Sequence, residues 1–100
     1  MMDPLFATAL HAVTVEVGGT TFVVDLREGT SVAFNGAAAA IWRGLVRGRS
    51  PAAIATELAS SFAIDEARAR TDVAAFLSTL AARGLVRAWL LDPLSDDGAR

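Results

Sequence analysis

The sequence predicts an α+β fold, a three-stranded antiparallel sheet followed by three helices (βββααα). Three observations carry that prediction. Apolar residues alternate with period 2 as far as Phe34. From Ala38 onward they recur with the 3.6-residue period of a helix. The change falls on Asn35-Gly36, a turn and cap signal at the β-to-α junction Ser31-Val32-Ala33-Phe34-Asn35-Gly36-Ala37-Ala38-Ala39-Ala40-Ile41-Trp42. At 100 residues the chain reads as one domain. Its 53% hydrophobic content overstates the core, because much of it is alanine, which buries little area per residue.

The elements follow in order. Residues 1–10 have no periodic pattern and include Pro4, so they are expected to form a loose, flexible leader into a domain spanning 11–91. From His11, Val13, Val15 and Val17 fall on one side and Thr14 and Glu16 on the other, the alternation of a half-buried strand. Gly18-Gly19 then signals a hairpin, since primed turns need positive φ. Thr20 to Leu26 forms the second strand, with Phe22, Val24 and Leu26 on one face. After the turn Arg27-Glu28-Gly29 comes a short third strand, Ser31 to Phe34.

Asn35 is placed to cap the first helix, whose apolar face is Ala38, Ile41, Trp42 and Leu45, and Gly48 suits its end. Ser50-Pro51 opens the second helix as cap plus first-turn proline, where the missing N–H costs nothing. Ile54, Ala55, Leu58 and Phe62 form its stripe. Asp65 caps the third helix, which runs to about Arg83, and Gly84 follows where glycine relieves a left-handed turn. Ala69, Val73, Phe76, Leu77 and Leu80 form the buried stripe of that helix. Arg68, Asp72, Thr79 and Arg83 lie along one flank and Arg70 and Ala74 along the other. Leu85 to Leu91 reads as a short strand or a packed tail, and residues 92–100 as a flexible acidic tail.

Composition removes several classes of function. The net charge is −2, and all nine basic residues are arginine. That balance argues against nucleic acid, which needs a basic footprint. No run approaches the roughly 18 apolar residues that span a bilayer. The N-terminus lacks a signal-peptide pattern and there is no cysteine, so the expected location is cytoplasmic, with no membrane association. Catalysis has little to stand on. His11 is the single histidine and reads as a surface or strand-end residue, with no second histidine or cysteine for a metal site. The serines lack a histidine partner, Gly18-Gly19 lacks the context of a phosphate loop, and Asp65-Glu66 complements a helix dipole. No enzyme activity, metal or cofactor is expected.

Binding is the better class. Three strands leave two sheet edges, and an edge offers unpaired N–H and C=O groups to an incoming strand. The third strand carries no charge and no proline, and Ala33 is small enough for a guest backbone to come close. The alternative is that a helix or the C-terminal segment covers this edge. Trp42 and Phe76 sit at helical spacing within apolar stripes and read first as core, with Phe76 lining a groove as the other reading.

These residues resemble the PqqD family, named for coenzyme PQQ synthesis protein D. The likeness lies in Val23-Val24-Asp25-Leu26-Arg27-Glu28-Gly29, in Ala33 to Trp42, and in Asp72 to Val86, and covers about residues 11–87. Phe34 stands where many members have leucine. The resemblance implies a winged helix-turn-helix-like domain acting as a RiPP recognition element, a non-catalytic peptide chaperone. Such a domain binds the leader segment of a ribosomally made precursor peptide and presents it to a modifying enzyme, such as a radical SAM enzyme or a peptidase. It implies that the leader adds as a strand to Ser31, Val32, Ala33 and Phe34. Arg68, Asp72, Val73, Phe76 and Thr79 of the third helix would then wall the cleft; the pattern equally allows the Arg70 and Ala74 flank. The competing readings are a winged-helix DNA binder and a structural subunit of a modifying enzyme. The open edge could also join two copies in a homodimer.

Overall fold

Two turns set the sheet. Gly18 and Gly19 take φ of +56° and +83°, values open to glycine at no steric cost, and join β2 (Ala12–Val17) to β3 (Thr20–Asp25) as a hairpin. A second turn, closed by a 2.8 Å hydrogen bond from the Gly29 N–H to the Asp25 carbonyl, leads into β4 (Thr30–Phe34). The computed structural model describes residues 5–89; the expected tail at 92–100 lies outside the described residues. Strand order is β2-β3-β4, antiparallel throughout, and α1 (Gly36–Val46), α2 (Pro51–Phe62) and α3 (Glu66–Ala82) follow. The third strand of the sequence reading is β4.

The chain departs from its expected leader. Leu5–Thr8 forms a strand, β1, which pairs antiparallel with β5 (Val86–Trp89) as a separate two-stranded sheet. Four residues are too few to show a period, and their partner lies at the other end of the sequence. Of the segment after Gly84, Val86–Trp89 is thus a strand, and Leu90 and Leu91 lie outside the described residues.

The sheet is half-buried, but through the face the alternation left polar. Thr21, Val23 and Asp25 of β3 are buried, whereas Val13, Val15, Val17 and Leu26 are 40%, 43%, 59% and 64% exposed. The polar groups on the inner face find partners. The Trp42 indole N–H donates to Thr14 Oγ1 at 2.8 Å, and Trp42 itself is fully buried. Thr21 Oγ1 donates to Glu16 at 2.9 Å and accepts from Arg43 at 3.3 Å.

The core lies between this face and the helices. Trp42, Ile41 and Leu45 of α1, Ile54 and Leu58 of α2, and Ala69, Val73, Leu77 and Leu80 of α3 meet Val23 and Phe34 of the sheet and Leu85 and Val86. The α1–α2 approach is close at Gly44, where a Cβ would stand 2.8 Å from Ile54 Cγ1. Phe62, expected in the α2 stripe, is 42% exposed. The cap at Ser50 forms as expected, with Oγ accepting from the Ala53 N–H at 3.1 Å. Asn35 and Asp65 occupy their N-cap positions without a side-chain cap bond. Asn35 Oδ1 instead accepts from Thr20 Oγ1 at 3.0 Å, tying the start of β3 to the start of α1. No helix among the described residues is long and apolar enough to cross a membrane.

Candidate functional site

The edge of β4 is open among the described residues, because β5 pairs with β1 and not with the three-stranded sheet. Which main-chain groups it offers follows from the ladder. The Leu26 N–H donates to the His11 carbonyl at 2.8 Å, in register with Ala12↔Asp25. Bonded and non-bonded pairs alternate along an antiparallel ladder. Thr20, Phe22 and Val24 therefore turn their main-chain groups to β2, and Thr21, Val23 and Asp25 turn theirs to β4. Their partners Phe34, Val32 and Thr30 face back. That leaves the N–H and C=O of Ser31 and Ala33 directed away from the sheet.

Side chains follow the opposite rule. Those of Val32 and Phe34 lie toward the helices, half-buried and 7% exposed, and those of Ser31 and Ala33 lie on the outer face, both exposed. Phe34 is the hinge point between sheet and helices. Its ring stands 6.0 Å from Trp42 and 5.1 Å from Phe76, the latter edge-on, an arrangement that favours aromatic pairs.

That contact decides which flank of α3 faces β4. Phe76 is half-buried against Phe34, and Asp72, Thr79 and Arg83 share its side by helical spacing. The other flank turns toward α2: Arg70 pairs with Glu66 at 3.1 Å, and Glu66 also accepts from Thr56 of α2 at 3.1 Å. Arg68 pairs with Asp72 at 3.2 Å on the surface. Val73 is 2% exposed and belongs to the core, behind the groove wall. Of the nine residues singled out in the sequence, Ser31, Val32, Ala33 and Phe34 lie on β4, Phe76 meets Phe34, and Asp72 and Thr79 share the Phe76 side of α3 by helical spacing. Arg68 is exposed, one turn before Asp72.

At the turn end the groove opens into a cleft of about 230 Å³ lined by Val23, Asp25, Glu28, Thr30, Ser31, Val32, Arg83 and Leu85. Val23, Asp25, Glu28, Thr30, Arg83 and Leu85 were not among the expected site residues. Val23 was legible in principle, because it alternates with Phe22 and Val24. Leu85 was not, because its place depends on the turn at Gly84.

The polar end of the cleft is held by Asp25. Burial pushes its carboxyl up, but the amide N–H groups of Glu28 and Arg27 and the charges of His11 and Arg27 outweigh that and hold it below its ordinary value. The two amides reach Asp25 Oδ1 at 3.1 and 2.9 Å. His11 is half-buried rather than a surface residue. Its Nε2 donates to the Gly84 carbonyl at 2.9 Å and lies 3.8 Å from Asp25, so it joins the sheet to the turn after α3. The arrangement offers directional main-chain donors and acceptors along one edge, an aromatic wall, and a small mixed cleft.

Comparison with known proteins gives the fold and the family. The chain shares its fold with two solved structures. One is titled "TbiB1 in Complex with the TbiA(beta) Leader Peptide": TM-score 0.78, 21% identity, covering 81% of this chain and 94% of that one. The other is "Lasso peptide synthetase B1 complexed with the leader peptide": TM-score 0.76, 27% identity, covering 82% of this chain and 96% of that one. No curated protein matches the chain. The family model for PqqD, coenzyme PQQ synthesis protein D, matches residues 20–86, from the first residue of β3 to the first of β5, and the chain belongs to the PqqD family.

Proposed function

We propose that this protein is a leader-peptide chaperone, a non-catalytic RiPP recognition element. It takes the leader of a ribosomally made precursor as an added strand on β4 and presents it to a modifying enzyme, such as a radical SAM enzyme or a peptidase. The observation that carries the reading is the open edge, with Ser31 and Ala33 directing main-chain groups outward beside the Phe76 flank of α3. The two structural relatives hold leader peptides, and the family assignment points the same way. Strand addition satisfies a guest backbone whatever its sequence, so selectivity falls to side chains at the groove, here Val32, Phe34, Asp72, Phe76 and Thr79.

A DNA-binding reading has less support. Arg68 and Arg70, the two arginines of α3, are tied to Asp72 and Glu66.

The test is titration of fluorescently labelled leaders from each short precursor frame encoded near this gene. Saturable binding is expected, with slowed amide exchange at Ser31 and Ala33 and less change at Val32, whose amide already serves the ladder. Ala33→Pro removes an outward donor at an edge, where proline is tolerated, and should weaken binding about five- to tenfold, the worth of roughly one hydrogen bond. Folded protein that binds no neighbouring leader, or binds it unchanged by Ala33→Pro, would defeat the reading.

A further inference from the structure

We propose that the outer face of the sheet reads the guest as well: a bulky apolar side chain, on the guest residue beside Ala33, seats over Ala33 against the ring of Phe22. This rests on the strand-addition reading above and goes beyond its groove.

The register aligns Val15, Phe22 and Ala33 in one row across the three strands, and Val13, Val24 and Ser31 in the next. These side chains alternate with the buried Thr21, Val23 and Phe34, so they stand on the face away from the helices. Neither row contains a charge. Val13 and Val15 are 40% and 43% exposed, and Phe22, half-buried, stands on the face opposite α1, α2 and α3 among the described residues.

Each row ends at the open edge in a small side chain. A strand added there lies about 4.8 Å from β4, and every second guest side chain must emerge on this outer face. The guest residue beside Ala33 stands two strand spacings, about 10 Å, from Phe22. Only a methyl group lies between them. A leucine, isoleucine, methionine or phenylalanine on the guest can meet the ring across that methyl, removing apolar surface of both from water. Beside Ser31 the next residue is the short, branched Val24 and a hydroxyl intervenes, so the notch belongs to Ala33 alone. The groove selects one set of alternate guest side chains and this notch selects a member of the other set.

The experiment is an alanine scan of the labelled synthetic leader from the adjacent precursor frame, against the wild-type protein, Phe22→Ala and Ala33→Leu. One leader position should lose about three- to fivefold in affinity for the wild type on truncation to alanine, the size of one cross-strand pair. The same truncation should cost nothing against Phe22→Ala, which lacks the ring, or Ala33→Leu, whose own side chain fills the notch. Ala33 is exposed, so Ala33→Leu keeps the test independent of any folding defect in Phe22→Ala. Identical scan profiles in all three proteins, with binding intact, overturn the inference and leave the chaperone reading standing. Absence of saturable binding to folded wild type overturns that reading, and the inference falls with it.

Discussion

The two faces of the sheet are built on opposite principles. The inner face carries hydroxyls and a carboxylate, at Thr14, Thr21 and Asp25, each held by a named partner under α1 or within the β3–β4 turn. The outer face carries Val13, Val15, Val17 and Leu26, all at least 40% exposed. Hydropathy alone would place them the other way round. The difference teaches that burial here follows from what the helices can satisfy: α1 supplies an indole N–H and a guanidinium to the inner face, and the outer face stays exposed at Val13, Val15, Val17 and Leu26 among the described residues.

That contrast can be broken in order of expected effect. Trp42→Ala removes the largest fully buried side chain and the bond to Thr14, and should cost about 3–5 kcal/mol in urea unfolding. A loss under 1 kcal/mol would mean that the inner face does not anchor the domain. Thr21→Val makes the buried face more apolar yet should destabilise by about 1 kcal/mol, because Arg43 and Glu16 lose a shared partner while keeping access to water.

A smaller effect belongs to acid conditions. The folded Asp25 carboxyl sits below its ordinary value of 3.8, so folding favours the ionised form. Its contribution is complete above that value and is lost as pH falls through the lowered folded value. Asp25→Asn should flatten the acid limb of a stability–pH curve; an unchanged limb would assign the acid sensitivity to other carboxylates. The smallest effect is on the outer face, where Val15→Thr should shift stability by no more than about 0.5 kcal/mol. A larger loss would show that this face is covered in solution.

Much of the architecture was legible because its causes are local. Gly18-Gly19 needs only its own backbone to turn, and Ser50-Pro51 only the next three residues to cap, so both formed as read. The βββααα order follows from period alone. What the pattern could not give was the identity of the inner face, since alternation separates two faces without saying which one the helices cover. Thr21 and Asp25 become good core residues only through Arg43, Glu16 and the turn amides. Strand β1 was missed for a related reason: its partner β5 lies 78 or more residues along the chain. The short uncharged strand β4 was legible from sequence, whereas Phe76, read first as core, is half-buried against Phe34. The choice between flanks of α3 waited on the Phe34–Phe76 contact, and the cleft waited on Leu85.

The pairing of β1 with β5 has a consequence for how such a domain can be joined to others. Leu5 stands opposite Trp89, so the described chain enters and leaves the domain at one place. A unit with neighbouring entry and exit can be spliced into a surface loop of a larger protein without stretching either. The groove between β4 and α3 contains neither junction, so a grafted copy would keep the same open edge toward whatever its host enzyme holds nearby.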